Sequence, residues 1–292
     1  MKIYRAEVVG TERLTAGMIR IVLGGDDVAD FASTGVGDEY LRVFLPAVGE
    51  REPVLPFATT DSWDYPEGVT PSPMRTYTVR AVDPLAGTLT IDFVVHEGGV
   101  AATWAQHARV GDVVGLNSPS GLYAPPADLE WQVLLADATG LPAVARLVEQ
   151  APAGVRTRVV VEVPDESHRQ DLAAHPDVDV AWVHGGNGHS RSRLDEVLRS
   201  IDLPEGVGYV WFAGEAKVMR GVRSYLRHEC HLPATAYKVI GYWTDKAEQW
   251  TERWDNLDPA TKEWLATLWA DEGRAVEEIE DEYFATLESL GL

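Results

Sequence analysis

Alternation of apolar and polar positions dominates the first part of the chain. Six short segments alternate with a period of two or run through β-branched residues, a pattern typical of strands with one buried face. These segments are Lys2–Val9, Met18–Leu23, Tyr40–Leu45, Arg75–Val82, Thr88–Val95 and Asp112–Leu116. A single short helix is predicted at Ala101–Ala108. Six strands with one helix predict a closed antiparallel barrel.

From residue 131 the pattern changes to continuous apolar strands that alternate with amphipathic helices. The predicted strands are Trp131–Ala136, Arg158–Val163, Val178–Val183, Tyr209–Phe212 and Tyr237–Ile240. The predicted helices are Leu141–Gln150, Arg193–Ser200 and Ala216–His231. This alternation predicts a parallel sheet covered on both faces. A Pro-rich boundary at Ala124-Pro125-Pro126 then predicts domains at residues 1–126 and 127–250.

Residues 251–292 form a third region with its own composition. They carry twelve acids and three bases, within a chain whose net charge is −21. Asp258 followed by Pro259 predicts a helix start. Apolar residues then recur at helical spacing in two groups: Trp264, Leu265, Leu268 and Trp269, and Val276, Ile279, Tyr283, Leu287 and Leu290. Two amphipathic helices are therefore expected, as a folded tail.

Charge and cysteine content exclude several classes of protein. The strongly negative net charge argues against a nucleic-acid partner. The single cysteine, Cys230, excludes an internal disulfide and a cysteine-ligated iron–sulfur cluster. With no export signal and no apolar run near the ~20 residues of a membrane span, a cytoplasmic protein is expected. His228 and His231 share a helix face but lack a third ligand, so no metal site is predicted.

The segment Arg75-Thr76-Tyr77-Thr78 carries the most specific chemistry. A guanidinium can pair bidentately with a diphosphate. Tyr77 lies on the same strand face as Arg75 and offers a ring for stacking. The Thr78 hydroxyl can bond a heteroatom at a ring edge. An ordinary half-buried strand is the alternative reading.

Further candidate contacts follow other strands. Asp92-Phe93-Val94-Val95-His96 is followed by Glu97-Gly98-Gly99 and a helix, whose N-terminal N–H groups can bind phosphate. In the second half, Asp137–Ala143 and Gly214-Glu215 lie at carboxyl ends of parallel strands, where ligands of such sheets gather. Gly214 is expected to leave space for a planar ring. No G-x-G-x-x-G fingerprint or P-loop is present, which argues against a Rossmann dehydrogenase or a nucleotide triphosphatase.

Taken in order, these motifs resemble the siderophore-interacting protein family. The matching segments are Arg75–Arg80, Asp92–Ala105, Gly111–Gly121, Leu134–Ala143, Tyr209–Val222 and Gly241–Trp243. The resemblance implies a six-stranded antiparallel FAD-binding barrel, a parallel-sheet domain that binds NAD(P)H, and the helical tail. It also implies an FAD-dependent ferric-siderophore reductase that releases Fe(II) for iron assimilation.

The resemblance also implies roles for single residues. Arg75 would hold the diphosphate, Tyr77 would stack on the flavin and Thr78 would bond its ring edge. The other cofactor-binding residues would be Asp92, Phe93, His96, Ala101, Ala102, Thr103, Asp137 and Thr139, of which the two alanines and Thr103 would offer backbone to the phosphates. Pro142, Gly214 and Glu215 would contact the nicotinamide nucleotide. No general acid or base is proposed, because electron transfer requires none.

The siderophore pocket departs from the family pattern. Positions that are often basic in the family correspond here to Arg42, Ser120 and Thr244, with Lys246 two residues further on. Arg42 and Lys246, together with Tyr242 and Trp243, are the expected siderophore contacts. Because few positive charges remain, complexes of low negative charge such as hydroxamates are expected as substrates, rather than tris-catecholates.

Several alternatives stay open at this level. The chain could be a flavin or ferredoxin-type reductase without siderophore specificity, or a siderophore-binding flavoprotein without enzymatic activity. NADH is favoured over NADPH, because Asp165 and Glu166 follow the second parallel strand, although Arg169 is near. A monomer and a homodimer are both compatible with the sequence. The tail is expected to pack on the cleft between flavin and nucleotide, or on a second subunit.

Overall fold

A computed structural model describes residues 1–60, 62–96, 98–270, 273–274 and 276–290. The first domain contains nine strands and two helices within these residues. The strands are β1 Ile3–Thr15, β2 Met18–Gly24, β3 Tyr40–Phe44, β4 Phe57–Ala58, β5 Trp63–Asp64, β6 Met74–Thr78, β7 Ala81–Asp83, β8 Thr88–Val94 and β9 Val113–Asn117. The helices are α1 Asp26–Ala29 and α2 Val100–His107. Strands β4 and β5 form a small separate hairpin.

The predicted barrel is confirmed, with one more strand than expected. Seven strands form an antiparallel sheet in the order β6-β3-β9-β1-β2-β8-β7. The single strand predicted at Arg75–Val82 is broken into β6 and β7. The N–H of Val79 donates a hydrogen bond to the carbonyl of Glu39 (2.9 Å). The N–H of Arg80 donates a hydrogen bond to the carbonyl of Thr90 (2.8 Å). The broken strand therefore pairs first with β3 and then with β8, which closes the barrel.

The second domain is a five-stranded parallel sheet. Its strands are β10 Trp131–Asp137, β11 Arg156–Val163, β12 Val178–His184, β13 Gly208–Glu215 and β14 Tyr237–Trp243, in the order β12-β11-β10-β13-β14. The helices are α3 Leu141–Glu149, α4 Leu194–Arg199 and α5 Ala216–Ser224, which continues as a π-helical turn at Tyr225–Glu229. Separate apolar cores lie on the two faces. The strand order reverses between β10 and β13, the point at which such sheets bind ligands.

The tail is folded. Helix α6 Ala247–Asp255 crosses the predicted boundary at residue 250, and α7 Pro259–Leu268 and α8 Val276–Ser289 are the two helices predicted in the tail. Asp258 caps α7 as expected, accepting a hydrogen bond from the N–H of Thr261. Four residues of the predicted stripes form the core of the tail: Leu265, Leu268, Ile279 and Leu287. Trp264 and Trp269 were expected on the buried stripe, but 41% and 48% of their surfaces are exposed.

The tail packs on the second domain's helical face, and the expected packing on the cleft is wrong for α8. Phe284 packs against the core beneath α5. Arg223 pairs with Glu280, and Arg227 with Asp281 at 2.7 Å. Asp281 also lies 3.3 Å from His228, one of the two histidines considered above as metal ligands. Within the described residues, no cluster of three or more potential metal ligands is present.

A buried polar seam fixes the barrel against the second domain. Oδ2 of Asp38 accepts a 2.9 Å hydrogen bond from the Trp211 indole. Glu39 accepts a hydrogen bond from Arg146 at 2.9 Å, and others from Ser33 and Thr34. Burial raises the pKa of Glu39, but these hydrogen bonds outweigh it and the pKa is lowered. The cleft between the domains is therefore bordered by a charged, hydrogen-bonded contact.

Among the helices that the structure describes, none has both the length and the apolar character needed to cross a membrane.

Candidate functional site

Arg75 and Tyr77 share one face of β6. Their partners on β3 are Val43 and Leu41, whose side chains are buried in the barrel. The Tyr77 ring packs on Phe93, with 4.2 Å between ring centroids. Phe93 is fully buried, so it supports Tyr77 from below and has no surface of its own for a ligand.

The polar groups of Arg75 and Tyr77 differ in their surroundings. Burial raises the pKa of Tyr77, while the positive charge of Arg75 acts in the opposite direction. The phenol therefore stays neutral at physiological pH. Arg75 is exposed, and its guanidinium donates one hydrogen bond to the carbonyl of Met74 at 2.8 Å. Its further N–H groups face solvent, where a diphosphate can be bound.

Thr78 lies on the opposite face of the strand, turned toward the second domain. Its hydroxyl oxygen is buried and has no hydrogen-bond partner of normal geometry among the described residues. The phenol of Tyr242, from the last strand of the parallel sheet, is its neighbour. Burial raises the pKa of Tyr242 and the negative charge of Asp38 raises it further, while an interaction with the Thr78 hydroxyl acts in the opposite direction. A hydroxyl carries one donor and two acceptor lone pairs, so Thr78 can also bond a heteroatom at a ring edge.

The start of α2 has the geometry of a phosphate site, with one correction. Ala101 and Ala102 are buried in the first turn, where N–H groups have no partner within the helix. The N–H of Thr103, however, donates to the carbonyl of Gly99 at 2.8 Å. The Thr103 N–H, which was expected to bind phosphate, is therefore already used within the helix. Only the exposed side chain of Thr103 is left to contact a ligand. Glu97 lies outside the described residues.

His96 borders this turn. A Cβ atom added to Gly99 would come within 2.4 Å of the His96 ring, so the imidazole lies directly on the glycine backbone. Only glycine leaves room for the ring in this position. His96 is exposed on its other side, at the start of this turn.

The carboxylate of Asp92 is bound by arginine side chains. Its two carboxylate oxygens accept hydrogen bonds from Arg20, both at 2.8 Å, and Arg80 lies 4.0 Å away. Arg80 in turn pairs with Glu149 of α3 at 2.6 Å. The Asp92 side chain therefore links the barrel to the second domain. Asp92 was predicted to lie beside the cofactor, but both of its carboxylate oxygens are already bound by Arg20.

The turn after β10 is organised by Asp137. Oδ1 accepts hydrogen bonds from the N–H and the hydroxyl of Thr139, at 2.8 and 2.5 Å. Oδ2 accepts the indole N–H of Trp243 at 2.6 Å. Burial outweighs these hydrogen bonds and raises the pKa of Asp137. A Cβ at Gly214 would lie 2.8 Å from Oδ2, so the space expected for a planar ring holds the Asp137 carboxylate.

Asn187 was missed by the sequence reading, although it supports the same turn. Its side-chain oxygen accepts the N–H of Ala138 at 2.9 Å. Its amide donates to the carbonyls of Gly185 (2.9 Å) and Glu162 (3.1 Å). Asn187 has a positive φ of 57°. One asparagine in a glycine-rich loop is typical of an ordinary turn, and its link to β10 is visible only in three dimensions.

Glu162 is a second buried acid at this edge of the sheet. Oε1 accepts the N–H of Arg193 at 2.7 Å. Oε2 is buried without a partner among the described residues. Burial raises the pKa of Glu162, and the nearby negative charge of Asp137 raises it further. Hydrogen bonds from the Arg193 N–H and from Ser192 act in the opposite direction but do not outweigh the burial.

The predicted siderophore contacts come from both domains, Arg42 from β3 and Tyr242 and Trp243 from β14. Arg42 donates to the hydroxyl of Thr76 at 2.6 Å, and its guanidinium lies 5.8 Å from the centroid of the Tyr40 ring. Trp243 has its indole N–H bound to Asp137. Lys246 is exposed at the start of α6.

The predicted nucleotide contacts follow β10 and β13. Pro142 is buried in the first turn of α3. Glu215 is half-buried at the end of β13, where burial, and then the charge of Asp245, raise its pKa. Both residues lie at the carboxyl edge of the sheet, on either side of the strand-order reversal.

Comparison with known proteins matches both domains. A family model described as a siderophore-interacting FAD-binding domain matches residues 7–123. A second, described as siderophore-interacting protein, matches residues 129–246. Neither model extends into the tail helices.

Individual relatives cover most of the chain. The NADPH-dependent ferric-chelate reductase of Escherichia coli is 33% identical over 243 residues, which cover 82% of this chain and 92% of that protein. The ferric vibriobactin reductase of Vibrio cholerae is 27% identical over 240 residues, covering 81% and 88%. The crystal structure of a siderophore utilization protein from T. fusca matches with a TM-score of 0.76 and 33% identity, covering 84% of this chain and 94% of that one.

Proposed function

This chain belongs to the siderophore-interacting protein family, and from that premise we propose that it is an FAD-dependent ferric-siderophore reductase. It would take electrons from NAD(P)H and pass them to the iron of a ferric siderophore, which is then released as Fe(II) for assimilation. The observation that carries the proposal is the closing strand of the barrel. There an exposed guanidinium, a supported aromatic ring and a buried hydroxyl stand within four residues, Arg75 to Thr78.

The residues present suit FAD. Arg75 would bind the diphosphate, with the first turn of α2 at Ala101 and Ala102 as a second source of donors. Tyr77, held by Phe93, would present its ring to the flavin. The Thr78 hydroxyl would form a hydrogen bond to the edge of the flavin ring. When bound, FAD accepts a hydride from NAD(P)H and passes electrons on singly, which matches a one-electron acceptor such as iron.

The parallel sheet would position the nicotinamide nucleotide. The turn of Asp137 and Thr139 is braced by Trp243 and Asn187, so its backbone is held in one arrangement. Pro142, Gly214 and Glu215 border the same edge. We propose the domain division 1–126, 127–250 and 251–292, in which the second domain supplies this edge and the tail braces its far face.

The ferric siderophore is the substrate, and we propose complexes of low negative charge. Reduction weakens the hold of oxygen ligands on the metal, because Fe(III) is the harder and more highly charged ion. Arg42 is the cation on the barrel side, with Tyr242 opposite. Glu215, Asp245 and Asp137 surround the end of β14 with negative charge, which disfavours a highly anionic complex. The single cysteine suits a reducing cytoplasm as the place of action.

A spectrum and an acceptor panel test the proposal. The purified, FAD-loaded protein should be yellow and should be bleached by NADH or NADPH without oxygen. Its steady-state turnover should be faster with a ferric hydroxamate than with free FMN or a ferredoxin. Faster turnover with FMN or ferredoxin would favour a reductase without siderophore specificity. A protein that binds no flavin under any loading condition would contradict the proposal.

A further inference from the structure

An ion-pair network lies just beyond the end of β11. Glu166 lies in the 3₁₀ turn Glu166–His168. Its carboxylate accepts hydrogen bonds from Nη1 of Arg169, at 2.8 Å to Oε1 and 3.0 Å to Oε2. Nε2 of His184, the last residue of β12, lies 3.4 Å from Oε2. One exposed carboxylate thus holds two basic groups from two different segments.

The arginine of this network is oriented on a second side. The Arg169 guanidinium lies 5.2 Å from the centroid of the Trp182 ring, within range of a cation–π interaction. It is therefore stacked on one side and paired with Glu166 at its edge. A stacked guanidinium keeps its donors in a fixed plane, which suits recognition of an anion.

Asp165, the neighbouring acid, is used within the turn. Its Oδ1 accepts hydrogen bonds from the N–H of Ser167 (2.8 Å), from the Ser167 hydroxyl (2.6 Å) and from the His168 ring (3.2 Å). His168 also lies directly on Gly17 of the barrel, where an added Cβ would come within 2.3 Å of the ring. The turn is therefore fixed from both domains, and Glu166 is its outward-facing acid.

We propose that Glu166 makes this protein select NADH over NADPH, an inference that rests on the proposed reductase function. In doubly wound sheets the adenosine ribose lies at the end of the second strand, here β11. A carboxylate there accepts a hydrogen bond from the ribose 2′-hydroxyl and repels a 2′-phosphate. Glu166 also engages Arg169 and His184, which are the groups suited to bind that phosphate. It therefore opposes NADPH in two ways.

The variant Glu166→Gln tests this directly, because it removes the charge and keeps the size. Flavin reduction in the wild type should favour NADH by about tenfold or more in kcat/KM, the effect of one charged hydrogen bond. In Glu166→Gln that preference should fall by about tenfold or reverse. Adding Arg169→Ala should abolish the gain in NADPH use while NADH use changes little.

Asp179→Asn is the matched control. Asp179 is an exposed acid near the other end of β12 and is paired with Arg158. Its substitution changes the net charge by the same amount but should leave the nucleotide preference unchanged. An equal shift in this variant would mean that overall charge governs the preference, which would overturn the role given to Glu166.

A binding measurement separates this inference from the proposed function. Calorimetric titration with 2′,5′-ADP and with 5′-AMP reports the 2′-phosphate preference without flavin reduction. The wild type should favour 5′-AMP, and Glu166→Gln should gain affinity for 2′,5′-ADP. An unchanged affinity ratio, or a wild type that prefers 2′,5′-ADP, would overturn the inference. Absence of flavin reduction by either nucleotide would instead contradict the reductase function, while the affinity ratio would still decide the role of Glu166.

Discussion

Trp243 and Asp137 meet across 106 residues of sequence through a 2.6 Å hydrogen bond from the indole N–H to Oδ2. This contact fixes the end of β14 to the turn after β10. Tyr242, one residue before Trp243, is thereby brought to Thr78 of the barrel. One hydrogen bond thus helps to position both the carboxyl edge of the parallel sheet and the part of the barrel around Thr78.

Trp243→Phe should destabilise the protein. It leaves Oδ2 of the buried Asp137 without the indole donor, at a cost of about 1–3 kcal/mol in the free energy of unfolding. Urea denaturation measures the change. Trp264→Phe is the control, because this partly exposed tryptophan of α7 should be replaceable with little effect. Equal stability of Trp243→Phe and the wild type would show that the contact does not matter.

Arg75→Ala should lower FAD affinity. A charged hydrogen bond to the diphosphate contributes about 1.5–3 kcal/mol, so the dissociation constant should rise roughly 10- to 150-fold. Arg75→Lys should restore part of the loss, and fluorescence titration of the apoprotein measures all three values. Arg51→Ala, which removes an exposed arginine of a barrel loop, should bind FAD normally. Full FAD affinity in Arg75→Ala would refute the assignment.

Thr78→Val should weaken FAD binding. It replaces the buried hydroxyl by a methyl group of similar size, so the shape of the site is kept. In the presence of FAD the same change removes a hydrogen bond, so affinity should fall by about tenfold. Thr78→Ser keeps the hydroxyl and should bind FAD nearly as the wild type does. Tighter FAD binding by Thr78→Val would contradict the role given to Thr78.

Glu162 should make stability depend on pH. Because its pKa is raised in the folded state, its contribution to stability is full below the ordinary glutamate pKa of about 4.3 and is lost as pH rises through the raised value. Glu162→Gln should therefore gain stability relative to the wild type as pH increases from about 4 to 7. Unfolding free energies at several pH values measure this. A stability difference between Glu162→Gln and the wild type that stays constant over this pH range would contradict the raised pKa.

Periodicity predicted most of the fold because it depends on local sequence. The barrel and the parallel strands bury alternate or continuous apolar residues, and both patterns can be read within one segment. The break after Thr78 was not predictable in this way, since it arises where the strand changes partner from β3 to β8. Helix α1, with four residues, is too short to show a helical period.

Contacts between distant segments were the hardest to predict. Asp38 and Glu39 are two consecutive acids in the sequence, yet they are fully buried against Trp211 and Arg146, 173 and 107 residues away. Gly214 was expected to leave space for a planar ring, but the Asp137 carboxylate, which comes from another strand, lies there. The donor at Thr103 depended on where α2 begins, and helix starts are among the least predictable features of a sequence.

The most direct test of the central claim is rapid mixing of the NADH-reduced protein with a ferric hydroxamate in the absence of oxygen. Flavin absorbance and an Fe(II)-specific chelator report the two halves of the reaction. The proposed function predicts that flavin reoxidation accelerates with siderophore concentration, and that each reduced FAD yields about two Fe(II), because FAD carries two electrons and iron accepts one. Reoxidation at the same rate without the siderophore, or without formation of Fe(II), would contradict it.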